Sequence, residues 1–278
     1  MRKHLYVDNV DLATYGVYIS GGGTFSAPEK EYTWLQVPNR NGDVLGYNRR
    51  LLNIKVTYDC FICTNFDTNI ANLRSFLLSR NGFVRISDDY HTGEFRKGVY
   101  EGPFEPTITK TLDAGSFTLS FVCQPQRWLT SGDTAITGTT TAKKITNPTR
   151  FNAQPLIKLA NGSYNVNGKF AMRKTNSNFG YGGDLIIEVL STYGYHDIYI
   201  DAETMNAYAY TTIVGFDPMQ TPVNEYVSFQ YEEYWYGHGF ETRYAADAPI
   251  LYPGDNYVKV LDDSNIATFE ITPRWWEV

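Results

Sequence analysis

Three cysteines, four histidines and three adjacent carboxylate pairs are the obvious candidates for chemistry in this sequence, and none falls at a spacing that chemistry requires. Cys60-Phe61-Ile62-Cys63 has the form of a redox pair. Such a pair needs a helix N-terminus to lower the thiol pKa. Here it closes an alternating, strand-like run, which marks ordinary strand cysteines. A structural zinc site needs four ligands. Only Cys123 and the scattered His4, His91, His196 and His238 remain, with no second matching spacing. There is no GxSxG nucleophile elbow, and Gly21-Gly22-Gly23 matches neither phosphate-binding pattern and reads as a turn. Asp88-Asp89, Glu232-Glu233 and Asp262-Asp263 could serve glycoside hydrolysis only if two carboxyls flanked one sugar bond. Adjacent pairs in turns are the ordinary solvated decoration of β proteins. The expectation is a chain with no catalytic residue, no cofactor and no metal.

The densest local feature is aromatic. In Gln230–Tyr244, Tyr231, Tyr234, Trp235, Tyr236, Phe240 and Tyr244 crowd a short polar stretch. Tyrosine and tryptophan anchor interfaces because they bury much area at low entropic cost. Three readings stay open: a long hairpin with one buried face, a loop that contacts a partner protein, or a saccharide platform. Tyr231, Tyr234, Trp235, Tyr236 and Phe240 are the candidate contact residues.

The elements around these residues are mostly strands. Leu52–Tyr58 and Phe117–Phe121 alternate apolar and polar residues with period two. Asp113-Ala114-Gly115 marks a turn before the second run. Asn41-Gly42 signals a hairpin after Trp34–Val37. One segment, Asp67–Arg80, places Ile70, Leu73, Phe76 and Leu77 at helical spacing. Asp67 or Thr68 would cap it, and Asn81-Gly82 would end it. In the second half, Leu156–Leu159, Leu185–Leu190, Ile198–Asp201, Tyr257–Val260 and Ile266–Ile271 read as short strands, with Val166-Asn167-Gly168-Lys169 as a hairpin turn. The predicted fold is mostly β, two β-sandwich domains with one helix in the first.

Bulk properties narrow the classes. With 278 residues, 42% hydrophobic and 19% charged, the chain can bury one large core or two ordinary ones. Aromatics at 15% fit pleated, half-buried surfaces. A net charge of -6, with no large Lys/Arg cluster, argues against specific nucleic-acid binding. No stretch approaches a membrane span or a signal-peptide core, so a soluble protein without membrane insertion is expected. An odd, low cysteine count implies no disulfide framework. Gln124-Pro125 stops a strand, and Thr130–Thr141 is small, polar and Thr-rich. The expected division is 1–128, a linker at 129–150, and 151–278.

Several segments, taken in order, resemble the siphophage distal tail protein (Dit) family. They are the strand from Ile54 into the helix Ile70–Leu77, then Gly98-Val99-Tyr100-Glu101-Gly102, and Gly115–Cys123 closed by Gln124-Pro125. In the second half they are Thr146-Asn147-Pro148-Thr149, Gln154-Pro155-Leu156-Ile157-Lys158, Asp197–Glu203, Leu251–Asn256 and Ile271–Trp275. The aromatic Gln230–Tyr244 stretch has no match in the family pattern. The resemblance implies an N-terminal ring-forming β-sandwich domain and a C-terminal galectin-like one. It implies a hexameric ring, single or stacked, that joins the tail tube protein to tail-tip, baseplate and receptor-binding proteins at the tip of a phage tail. DNA would pass through its channel. The alternative is a carbohydrate-binding, lectin-like module contacting the host surface.

Overall fold

A computed structural model describes residues 2–22, 24–161, 165–174, 179, 184–211, 218–235, 239–244, 249–261 and 264–278, with the backbone alone at 47–49, 191, 193, 211, 231–235 and 239–244. The chain divides into two compact units between Leu129 and Thr130.

The first unit is built around one antiparallel sheet folded over on itself. Val10–Asp11, Leu5–Val7, Val84–Asp88, Glu94–Tyr100, Ala114–Cys123, Ile54–Ile62 and Val17–Ile19 lie side by side in that order. Ile19 then returns to the start, its N–H donating to the Lys3 carbonyl at 2.9 Å. The alternation read from sequence is the inward set. Ile54, Val56, Tyr58, Cys60 and Ile62 face one core, with Phe117, Leu119, Phe121 and Cys123 opposite them. Among the described residues there is one α-helix, Phe66–Leu78, and Phe66, Ile70, Leu73, Phe76 and Leu77 enter the same core. Gly115 is required there, since a Cβ would stand 2.4 Å from the Phe66 ring.

The helix cap differs from the expectation. The helix starts one residue before Asp67, and the N-cap residue Asn65 makes no side-chain cap bond. Asp113, distant in sequence, supplies the acceptor instead. Its carboxylate receives the N–H groups of Asn65 at 2.7 Å and Phe66 at 3.1 Å. A carboxylate at a helix N-terminus satisfies orphan donors and meets the positive end of the helix dipole. The turn that starts the strand Ala114–Cys123 therefore also starts the helix.

The second unit is two antiparallel sheets, each of six strands among the described residues. The first runs Ile136–Gly138, Thr268–Thr272, Leu156–Ala160, Asp197–Asp201, Asn206–Thr211, Met219–Pro222. The other runs Lys143–Asn147, Gly254–Val260, Asn165–Arg173, Asp184–Tyr193, Val227–Trp235, Gly239–Tyr244. Phe269 of the first and Phe170 of the other meet at 5.1 Å, both fully buried. Residues 129–150, expected as a linker, contribute two of these strands. Threonine fits a pleated ladder as readily as a loop, and buried Ile145 anchors the second of them. Gly168 is not a hairpin turn either. It sits at a register shift within one continuous strand, with φ 143°. A Cβ there would meet Ser264 at 2.3 Å, so glycine permits a bulge against which Ser264 Oγ receives the Lys169 N–H at 2.8 Å.

The end of the second unit is held by Arg274, whose guanidinium donates to both carboxylate oxygens of Asp201 at 2.7 and 3.0 Å. Burial alone would raise the Asp201 carboxyl, but the Arg274 hydrogen bonds outweigh it and hold it below the usual range. A carboxyl depressed in the folded state stabilises fully above its unfolded pKa, and that contribution is lost as pH falls through the folded value. Denaturant titrations should show the second unit losing stability below about pH 4, and Asp201→Asn should flatten that fall while lowering stability at neutral pH. In the first unit, Asp113→Ala should cost about 1 kcal/mol of stability, seen as a lower denaturant midpoint with an unchanged slope.

Candidate assembly and recognition surfaces

Several of the reactive side chains are buried or held by hydrogen bonds. Burial pushes the Cys60 thiol up to about 12 and the Cys123 thiol up to about 11, far from the thiolate that redox or metal chemistry uses. Asp88 is a buried acceptor that receives Tyr58 Oη at 2.9 Å and the N–H groups of Tyr90 and His91, with His91 Nδ1 at 3.0 Å. His4 Nδ1 pairs with Asp11 at 2.7 Å. Among the described residues no three His, Cys, Asp or Glu side chains are placed to hold a metal ion. Asp262, Asp263 and His238 lie outside those residues, as do the side chains of Glu232 and Glu233.

The first unit carries a surface that its own core does not use. Lys30–Leu35 and Val44–Leu51 form a two-stranded hairpin that is a sheet by itself. Asn41-Gly42 lies in the connection between its strands, with Gly42 at φ 80°. Trp34 stands opposite Leu45, so Tyr32, Trp34 and Leu45 share one face. Trp34 is 63% exposed, and Leu35 on the other face 54%. Two strands alone are marginal in water, and this pair has aromatic side chains outside any core. The segment leading into it is tied down: Arg127 Nη2 donates to the Thr24 carbonyl at 3.0 Å, Tyr90 Oη donates to the Gly21 carbonyl, and Phe25 meets the His91 ring at 5.0 Å. The hairpin therefore has a fixed root and an uncovered blade. Elsewhere on the same unit, Leu77, Leu78, Tyr100, Pro103 and Phe104 line an apolar groove of about 320 Å³ beside the end of the helix.

The second unit carries a different surface. On its first sheet, Ile157, Leu159, Ile198, Ile200, Ala207, Ala209, Phe269 and Ile271 face inward. The alternate residues face out, and the register aligns Thr137, Glu270, Lys158, Tyr199 and Tyr208 in one row across five strands. Lys158 Nζ lies 3.1 Å from Asp197 and 3.5 Å from Glu270. Burial would lower this lysine, but the Asp197 hydrogen bond and the nearby negative charge raise it instead. The rings of Tyr199 and Tyr208 stack at 5.3 Å, and Tyr210 stands perpendicular to both. The sequence hinted at this row through Ile198-Tyr199-Ile200 and Ala207-Tyr208-Ala209-Tyr210, where small or apolar residues alternate with tyrosine. What it lacked was the register that joins them.

The aromatic stretch, open between a hairpin with one buried face, a partner contact and a saccharide platform, has its backbone on the other sheet. Its backbone forms the hairpin Val227–Trp235 and Gly239–Tyr244, with Tyr234 opposite Phe240 and Trp235 opposite Gly239. Tyr236 is outside the described residues, and so are the side chains of Tyr231, Tyr234, Trp235 and Phe240.

No family model matches the sequence, and no curated protein does. The fold, in contrast, has whole-length counterparts. The chain is similar to the crystal structure of the SPP1 Dit protein, called a paradigm of the hub adsorption apparatus in phages that infect Gram-positive bacteria. The TM-score is 0.61 at 14% identity, over 100% of both chains. It is also similar to a chain of the phage P2 baseplate in its activated conformation with calcium, with a TM-score of 0.50 at 10% identity over 98% of each chain. The strontium form of that baseplate gives 0.50 and 10% over 97% of each. At these identities the likeness is one of fold.

The thiol environments give a direct check. With an aromatic disulfide reagent at mildly alkaline pH, Cys63 should react in the native protein, while Cys60 and Cys123 should react only after denaturation. Rapid native modification of all three would contradict the burial that raises their pKa.

Proposed function

We propose that this chain is a structural hub of a long-tailed phage tail tip. Copies assemble through the first unit into a hexameric ring, single or stacked. The ring joins the tail tube protein on one side to tail-tip, baseplate and receptor-binding proteins on the other, and leaves a channel for DNA. The second unit faces peripheral partners. Tyr231, Tyr234, Trp235, Tyr236 and Phe240 are assigned to a partner or saccharide contact. The protein resides in the virion, at the tail tip, and catalyses nothing.

The observation that carries this reading is the uncovered hairpin of the first unit. Tyr32, Trp34 and Leu45 on one side and Leu35 on the other need a surface to cover them. The apolar groove at Leu78 and Phe104 offers a concave surface of matching chemistry. A projection and a groove at different places on one chain make a head-to-tail contact. Such contacts close into rings when the rotation between copies divides a full turn. The whole-length fold similarity to a phage hub protein supports the same conclusion.

Burying one large apolar side chain is worth roughly 1.5–3 kcal/mol. Replacing Trp34 and Leu45 together by aspartate should therefore weaken each contact by about a hundredfold or more. Light scattering of the wild-type chain at high concentration should give the mass of six chains or a multiple. The double variant should give monomers with an unchanged circular dichroism spectrum and an intact first-unit transition. Antibody labelling of virions should place the wild-type chain at the tail tip. Assembly of the double variant at wild-type concentrations would remove the hairpin from the contact, and labelling elsewhere on the particle would remove the hub.

A further inference from the structure

We infer that Asn41-Gly42, in the connection of the hairpin Lys30–Leu51, is a site of spontaneous covalent modification. Its asparagine converts through a cyclic imide to aspartate and isoaspartate. The reaction goes beyond the hub reading and does not depend on it.

Asparagine is a thermolabile residue, and the chemistry asks three things of its surroundings. The following amide must be free to attack. The following residue must carry no side chain that obstructs the approach. The backbone must be able to bring the side-chain carbonyl onto that nitrogen. The Gly42 nitrogen attacks Asn41 Cγ. The N–Cγ bond forms, the Gly42 amide proton passes to hydroxide, and the Cγ–Nδ2 bond breaks as ammonia leaves. Water then adds to one of the two imide carbonyls. Opening on one side gives aspartate, and on the other isoaspartate, whose main chain runs through the side-chain carbon. No electrons change hands, and water is the co-reactant.

Asn41 meets these conditions. The chain reverses just before it, where the Arg40 N–H donates to the Val37 carbonyl at 3.2 Å. Pro38 and Asn39 hold the centre of that turn, with Asn39 at the positive φ of 62° that a type II turn needs. Closing the turn therefore does not use Asn41-Gly42. Both residues are exposed. Neither the Asn41 side chain nor the Gly42 N–H has a hydrogen-bond partner among the described residues. Gly42 brings no Cβ into the path, and nothing stands within 4 Å of the place where one would be.

The sequence holds four Asn-Gly pairs, so the fold supplies its own controls. Asn81-Gly82, after the helix, is equally exposed, with Gly82 at φ 75° and open space around it. It should react too. Asn167-Gly168 has the same atoms held in place. The Asn167 N–H donates to Asn265 Oδ1 at 2.7 Å, and its carbonyl receives the Asn265 N–H at 2.9 Å. Gly168 lies within a strand, packed on Ser264. An imide can form there only when the strand opens, and the small population of open chains slows it. In the fourth pair, Asn161-Gly162, the glycine lies outside the described residues.

The product places a carboxylate beside Arg40 and two residues from Asp43, where a neutral amide stood. Isoaspartate also lengthens the main chain of the connection. The ladder from Lys30–Leu51 to Leu35–Val44 lies outside the altered bond and is kept. The hairpin tip thus gains negative charge while its strands persist. Any effect of that charge on contacts between copies rests on the hub reading, unlike the reaction itself.

The experiment holds the dilute full chain at mildly alkaline and at mildly acidic pH and samples it over days. Acid-stage digestion and mass spectrometry, with fragmentation that separates aspartate from isoaspartate, map every asparagine. At alkaline pH, Asn41 and Asn81 should convert progressively, with isoaspartate the larger product, while Asn167 stays intact. At acidic pH all three should persist. In denaturant at alkaline pH, Asn167 should convert alongside Asn41. Gly42→Ala should slow conversion at Asn41 severalfold and leave Asn81 unchanged. Alanine is strained at this φ of 80°, but a loosened connection would speed the reaction, so slowing reports the added Cβ. The aspartate double variant at Trp34 and Leu45 should give the same map, so failure here and failure of the ring are read separately. The inference falls if native Asn41 survives as long as native Asn167. It also falls if Gly42→Ala leaves the rate at Asn41 unchanged.

Discussion

The closure of the first sheet on itself is the constraint from which the rest of that unit follows. Once Ile19 returns to Lys3, the sheet encloses an interior lined by Val56, Leu119 and Phe121. The helix completes that interior, and its capping carboxylate comes from the turn at Asp113 that launches the strand Ala114–Cys123. Sheet register and helix position are thus set by one short segment. An interior filled in this way has no room for the side chains of the hairpin Lys30–Leu51. Trp34, Leu35 and Leu45 stay outside because the core is finished without them. Their exposure is therefore a property of the fold and not of a loose loop. The three ties at Gly21, Thr24 and Phe25 hold the root of that hairpin against the body.

Much of this was legible in the residues. Period-two alternation located the inward faces of Ile54–Ile62 and Ala114–Cys123, because a side chain's face depends only on its parity along the strand. The helix was legible for the same local reason, through Ile70, Leu73, Phe76 and Leu77. The Asn41-Gly42 signal correctly announced a hairpin. What sequence misplaced depends on residues far apart in the chain. The cap came from Asp113 and not from Asp67 or Thr68. The apparent turn at Gly168 is a bulge shaped by Ser264, ninety-six positions away. The segment 129–150, expected as a linker, contributes two strands because it pairs with Thr268–Thr272 and Gly254–Val260.

The candidate surfaces divide along the same line. A dense local run such as Gln230–Tyr244 draws attention in a sequence because its residues are neighbours. The row Thr137, Glu270, Lys158, Tyr199, Tyr208 is invisible there, since its members come from five separate strands. Antiparallel sheets create such rows at right angles to the chain. A recognition surface built across strands leaves only a faint trace in sequence: an outward position that is repeatedly tyrosine where the inward positions are small.

The two surfaces also differ in the kind of contact they favour. The hairpin offers large apolar side chains, whose burial gives a persistent contact with little need for matching polar groups. The outer sheet face of the second unit offers hydroxyls, phenols and a lysine held between two carboxylates, groups that exchange water for partner atoms at small net gain.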